Sequence, residues 1–347
     1  MKKLALILGA TLALVTAGAG AAAQAAPARG DAQTAPTRGD AQTAPAGSDA
    51  QTAPTRDAHA RTDSALAKDL AAVTRSTAWA QLSALKLDFP TFHPEGLVVT
   101  KDRFYLSSVE IIEPTVKYPE PVDGYDRTPG KGVGHLFVID RAGRLIKDVI
   151  LGHDIVYHPG GIDIAGNDIL VPVAQYRPTS SADIYKVDAR TLKVTRLFTV
   201  RDHIGGIVYD PTTGRYVGNN WGSRKFYEWT RAGRQLTTWL NPTNLIDFQD
   251  CQYVPAGKMA CAGVTGLPQA PGATGSYELG GITLIDLHRR TIINEFPFQQ
   301  WSAAGHVLTR NPVKLAATGS TITMWAAPDN GEEAAGTQIY TLQATIS

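Results

Sequence analysis

Tyr157 to Tyr176 reads YHPGGIDIAGNDILVPVAQY, and Asp202 to Trp221 reads DHIGGIVYDPTTGRYVGNNW. In each, a histidine precedes a Gly-Gly pair, a short apolar run, a polar turn and a second apolar run, and the two histidines stand 45 residues apart. A third version, FHPEGLVVTKDRFYLSSVE, runs from Phe92 to Glu110. Self-similarity on a scale of about 40–50 residues points to a solenoid or a propeller. Apolar and polar residues alternate on both sides of the turns, the period-two pattern of antiparallel strands, so the expected unit is a β-hairpin.

Aligning these stretches with the rest of the chain gives five inner hairpins, beginning at His93, His158, His203, Gln249 and Asn311, with turns TKDR, AGND, DPTTGR, PAGK and ATGS. An outer hairpin follows each, the first being GHLFVIDRAGRLIKDVIL and the last the shortened GTQIYTLQATIS. The strand missing from the last unit is available in WAQLSALKLDFP, residues 79–90. Donating it closes the ring and removes the exposed edges of an open array. The expected fold is therefore an all-β propeller of five four-stranded blades over residues 77–347, closed by an N-terminal strand. The alternative is a sixth blade within the Pro- and Gly-rich insertions at 111–134 and 264–280, segments whose length also suits functional rims.

In a propeller, residues at one repeat position ring the central channel. His93, His158 and His203 would converge there with Gln249 and Asn311, and Glu95 replaces the small residue found at Gly160 and Gly205. Glu95, His93, His158 and His203 are the candidate ligands for one divalent metal ion, since imidazole and carboxylate suit zinc or manganese. The same histidines could instead bind a ligand directly, or pin the start of each blade through backbone hydrogen bonds. Glu110, Gln175 and Asn220 form a second polar layer seventeen residues on. With Arg177, Trp221 and Arg224 beside them, they are the candidate ligand-binding residues, pairing aromatic and guanidinium groups as an anionic or sugar-like ligand requires. His306, in AAGHVLTRNP, is a candidate base near the rim or else an inert loop histidine. No nucleophile elbow, phosphate-binding Gly-Lys-Ser/Thr loop or His-Glu-x-x-His helix is present.

The chain has 347 residues, is 43% hydrophobic and carries a net charge of +1, which leaves no basic field for nucleic acid. MKKLALILGATLALVTAGAGAAAQA, residues 1–25, has the charged start, apolar middle and small-residue end of a secretory signal peptide, and no later stretch is a transmembrane anchor. Residues 26–62 hold a nine-residue repeat around DAQTAP with no large apolar side chain, the composition of a disordered linker. Residues 63–76 carry helical spacing and are expected to form a short lead-in helix. The only cysteines, Cys251 and Cys261, flank a turn, which predicts a disulfide in an exported protein. The expected product is a secreted monomer, extracellular or in the cell envelope.

The stretches HPEGL, YHPGGID, VPVAQYRP, DHIGGIVYD and NNWGSRKFYEW resemble a family of secreted bacterial β-propellers of unknown function. More distantly, HPEGL followed by DRFYLSS is similar to the first blade of gluconolactonase and strictosidine-synthase-like propellers. That likeness implies a glutamate, here Glu95, beside the channel that holds a divalent cation. Two functions follow as expectations: binding of a small-molecule, anionic or peptide ligand at the channel mouth, or metal-dependent hydrolysis of lactones or phosphoesters.

Overall fold

The computed structural model describes residues 65–269 and 276–346. The expected signal peptide and repeat linker lie outside the described residues.

Among the described residues, twenty-three strands form five blades around a channel and one separate hairpin. Blade 1 is β2 (His93–Val99), β3 (Arg103–Glu113), β6 (Lys131–Asp140) and β7 (Leu145–Leu151), from the axis outwards. Blade 2 begins with a broken inner strand, β8 (Val156–Pro159) and β9 (Asp163–Ala165), both paired with β10 (Asp168–Gln175); β11 (Ala182–Asp188) and β12 (Val194–Val200) complete it. Blade 3 is β13 (Ile204–Asp210) through β14 (Arg215–Asn220), β15 (Lys225–Thr230) and β16 (Gln235–Leu240). Blade 4 is β17 (Asp247–Val254), β18 (Lys258–Pro268), β19 (Ser276–Asp286) and β20 (Thr291–Phe298).

Blade 5 joins β21 (Val313–Thr318), β22 (Thr321–Ala326) and β23 (Gln338–Thr345) to β1 (Ala80–Lys86), whose pairing runs from Ala80 opposite Gln343 to Lys86 opposite Gln338. The ring is thus closed by the N-terminal strand, as its sequence likeness to the other outermost strands predicts. The insertions add no sixth blade. Residues 111–134 lengthen β3 and β6 and carry the separate hairpin β4 (Lys117–Val122) and β5 (Tyr125–Arg127), while the other insertion lengthens β18 and β19.

Apolar residues that alternate along each strand meet their counterparts on the adjoining blade. Val98, Leu136, Val138, Val156, Val171 and Val173, for example, make one buried cluster between blades 1 and 2. Residues 65–72 form helix α1, whose Leu66 and Leu70 sit on one face at helical spacing and, with Val73 just past its end, pack with Phe296, Phe298 and Val313 of blades 4 and 5. Asn294 Nδ2 donates to Leu70 O and Val73 O, both at 2.8 Å, and so satisfies carbonyls that the helix end leaves free. Cys251 and Cys261 face each other across β17 and β18 and form the expected disulfide.

Candidate functional site

The register of the innermost strands decides what reaches the axis. In blades 1, 3 and 4 the pairing skips one residue at matching places: Glu95 between Pro94 and Gly96, Gly205 between Ile204 and Gly206, and Gln249 between Phe248 and Asp250. Blade 2 breaks its inner strand at the same place, at Gly160-Gly161. A bulged residue leaves the ladder and its side chain is re-aimed, which is how Glu95 turns into the channel. These bulges also correct the alignment of blade 4, where Gln249 is equivalent to Glu95 and not to the histidines, and Asp250 takes the place of Gly96, Gly161 and Gly206.

That substitution fills the channel. A Cβ on Gly161 would come within 2.8 Å of Asp250 Oδ1, so this glycine makes room for the carboxyl. The Asp250 carboxyl accepts Leu97 N–H at 2.9 Å and Ile162 N–H at 3.0 Å, the amides that follow the glycines of blades 1 and 2. Burial pushes this carboxyl well above its ordinary range. Close by, Gln252 exchanges two bonds with the backbone of Leu315, and Lys314 Nζ pairs with Asp163 Oδ1 at 2.9 Å. The middle of the channel is therefore a polar plug that ties blades together.

The mouth is a pocket of ≈ 140 Å³ lined by His93, Glu95, His158, Tyr176, His203, Asn220, Trp221 and Gln249, with Gly160, Gly205 and Gly222 between them. His93 Nε2 and His158 Nε2 lie 3.2 and 3.3 Å from one oxygen, Glu95 Oε1. Burial alone would raise the Glu95 carboxyl, but the imidazoles of His158 and His93 outweigh it and hold the group below its usual value. Burial alone would lower His93, yet Glu95 and the Asn330 hydrogen bond leave it raised. For His158 burial wins over Glu95 and the ring is lowered. His203, buried and next to His158, is pushed down to about 3. The site thus couples a carboxylate held low to one imidazole held up and two held down.

Their tautomers follow from what holds them. His203 Nδ1 donates to the Gln175 carbonyl at 2.8 Å, which leaves Nε2 as a lone pair. His93 Nδ1 donates to Asn330 Oδ1 at 2.8 Å, and the same oxygen accepts from Asn311 Nδ2 at 3.4 Å. His158 Nδ1 is buried and has no hydrogen-bond partner. The donor types suit a transition-metal ion, yet among the described residues no group of three or more His, Cys, Asp or Glu side chains is spaced to hold one. In this geometry Glu95 and the histidines are a charge-paired cluster.

The structure brings together His93, Glu95, His158, His203, Asn220 and Trp221. Glu110, Gln175, Arg177 and Arg224 stand apart from the lining. Glu110 is 3.7 Å from His135 Nε2, and the Gln175 side chain bonds Ser181 and Arg177. Arg224 spends its guanidinium on Gly222 O, Thr243 O, Ile246 O and Asp247, so it is a clamp on the loop behind the pocket. His306 is neither free nor inert in its surroundings: it bridges Glu278 Oε1 at 2.8 Å and Glu333 Oε1 at 3.2 Å, with Arg310 beside both. Asn311 joins the site only through Asn330, which the repeat pattern did not reveal because it lies in the loop between β22 and β23.

The family's sequence profile matches residues 58–345. The chain belongs to DUF6454, a family of unknown function. No curated protein matches it. Among solved structures, this DUF6454 chain is similar to a luciferin-regenerating enzyme, at 10% identity and a TM-score of 0.44, over 78% of this chain and 95% of that one. A protein of unknown function from Bacteroides caccae aligns at 11% identity and a TM-score of 0.39, over 69% and 73% of the two chains. The Cps50 (Swd1) β-propeller domain of Myceliophteria thermophila aligns at 13% identity and 0.31, over 49% of this chain and about half, 48%, of that chain.

Proposed function

We propose that this propeller binds a small polar ligand at the mouth of its channel. One observation carries the reading: the mouth's polar groups are fixed from behind while their pocket-facing atoms lack protein partners. His203 is held through Nδ1, Asn220 through Oδ1 by the Lys225 N–H, and Glu95 through Oε1. Among the described residues, His203 Nε2, Asn220 Nδ2, Glu95 Oε2 and the Gln249 amide make no hydrogen bond to protein. Groups held this way are left for solvent or a ligand to satisfy, and a few convergent polar atoms beside aromatic rings are the usual make-up of a small-molecule site. The Cys251–Cys261 bond supports action in an oxidising compartment outside the cytoplasm. Among the described residues no helix is long and apolar enough to cross a membrane.

The test is a melting-temperature screen against small polar compounds, repeated on Glu95→Gln and Trp221→Ala. Compounds that raise the wild-type melt and not that of the variants support the reading. Hits that act equally on all three proteins, or no hit at all, defeat it.

A second reading is a hydrolase of lactones or phosphoesters that depends on a divalent cation. It is favoured by the tying of both His93 Nδ1 and His203 Nδ1 to oxygens, the arrangement that orients Nε2 of metal-ligating histidines. His93, Glu95, His158 and His203 are then the ligands to test, and they would have to move from their present spacing to hold the ion. Elemental analysis of protein purified without chelators, with melts in and out of EDTA, separates the two. Stoichiometric metal and a chelator-sensitive melt favour the hydrolase; their absence leaves the binding reading.

A further inference from the structure

The extension of β3 and β6 carries a hairpin that touches the mouth. β4 and β5 pair only with each other among the described residues, and what holds them to the propeller is a small set of side chains. Tyr125 and Arg127 are two apart on β5 and so share one face of that strand. The Arg127 guanidinium lies 5.0 Å from the centre of the Trp221 ring, and the Arg177 guanidinium lies 3.5 Å from the centre of the Tyr125 ring. Tyr157 Oη donates to Pro129 O at 2.7 Å and anchors the hairpin's base.

Arg127 is also the outer member of a column that starts at the axis. His158 stacks on Tyr176 at 4.2 Å, Tyr176 on Trp221 at 5.4 Å and 9° between planes, and Arg127 covers Trp221. The mouth therefore has a guanidinium at the end of its aromatic wall.

What these two arginines lack is a fixed counter-charge. Arg224, Arg215 and Arg290 are each committed to carboxylates within the propeller. Arg177 has no carboxylate partner among the described residues, and its Nε donates to the neutral Gln175 Oε1 at 2.8 Å. Arg127 pairs only with its chain neighbour, Asp126, by Nε to Oδ1 at 2.9 Å and Nη2 to Oδ2 at 2.8 Å. The Asp126 side chain is 43% exposed, so the pair is a solvated one of little strength. It is a fork holding a carboxylate in the bidentate manner for which guanidinium is suited.

We infer that the ligand of this pocket carries a carboxylate, and that Arg127 and Arg177, at the rim beyond the residues that line it, form the subsite that receives it, with Asp126 giving way. The inference rests on the small-ligand reading above and names the chemical class of that ligand. Arg127 is then the specificity-determining residue, and the insertion that carries it is what sets this mouth apart from a bare propeller channel.

The experiment uses matched probes: tartrate against threitol, benzoate against benzamide, and inorganic phosphate, followed by ligand-observed saturation-transfer NMR on the whole protein. At least one carboxylate should bind about tenfold or more tightly than its neutral partner, and Arg127→Met should remove that preference. Arg127→Lys, which keeps the charge without the fork, should retain part of it. Asp126→Asn frees Arg127 and should strengthen carboxylate binding, an effect that damage to the hairpin cannot mimic. If threitol or benzamide binds as well as its acid and Arg127→Met changes nothing, the inference falls and the small-ligand site stands. Preference for phosphate over both acids also overturns it. If no probe binds, the site itself falls with it.

Discussion

The middle of the channel and its mouth are built from the same repeat position and its neighbours, yet they treat polar groups in opposite ways. In the middle, Asp250 accepts an amide from each of two blades, Gln252 exchanges a pair of bonds with Leu315, and Lys314 meets Asp163. At the mouth, His203, Asn220 and Glu95 are gripped on one side only. A fold that needed only to pin its blades could have satisfied both levels alike. The difference teaches that the ring's cohesion is supplied below the pocket, so the polar groups at the mouth are not needed for it.

The sharpest way to break this comparison is to remove the plug. Asp250→Ala leaves the Leu97 and Ile162 amides without an acceptor and opens a hole, and should cost about 2–5 kcal/mol in denaturant unfolding. Asp250→Asn keeps an acceptor and should cost about 1 kcal/mol. An Asp250→Ala protein as stable as wild type would show that the middle is not what holds the blades. Next in size is the disulfide beside the plug: replacing both Cys251 and Cys261 with alanine should cost about 2–3 kcal/mol, read by the same unfolding curves.

At the mouth the expected effects are smaller and depend on pH. The fold holds His203 neutral, with its pKa pushed down to about 3, so its contribution is complete above about pH 6.5 and is lost as the pH falls through that interval. His203→Asn should therefore flatten the acid side of the melting-temperature profile and leave the neutral side nearly unchanged. Glu95 and His93 work differently. The lowered Glu95 contributes above its ordinary titration range and loses that in acid, whereas the raised His93 contributes below its ordinary value and loses that as the pH rises. The melting difference between wild type and Glu95→Gln should peak between those limits, in mildly acid solution, and shrink as the pH rises beyond the raised His93. A difference that grows steadily with pH contradicts the assigned charges. Smallest of all, Arg127→Met should shift stability by less than about 1 kcal/mol, since its ion pair is solvated.

The fold was legible because its unit recurs: inner and outer hairpins alternate with period two, and the strand deficit of the last blade matches the spare strand at 79–90. The histidines were legible for the same reason, standing before a glycine pair in two blades and before Glu95-Gly96 in a third. What the pattern missed is what does not repeat. Asp250 was hidden because blade 4 lacks the histidine that marks the others, so its bulge was aligned two residues away. Asn330 lies in a loop, and Arg127 in a hairpin present in one blade only. Arg224 looked like a ligand residue because a chain cannot display which carbonyls its guanidinium will meet.

Closure of the ring by β1 and β23 has a consequence for the order in which the molecule can assemble. The strand at 80–86 finds its partner only in residues 338–343, across the whole length of the other four blades in the chain. Pairing at such a distance along the chain is slow, and until it happens both rims of the incomplete ring are open edges. Helix α1 docks on the seam between blades 4 and 5, so it too must wait. Refolding should show a late phase in which burial of Trp79 against Phe298 follows formation of most of the sheet, and removing residues before 87 should leave a protein that holds its inner blades and associates through the uncovered β23.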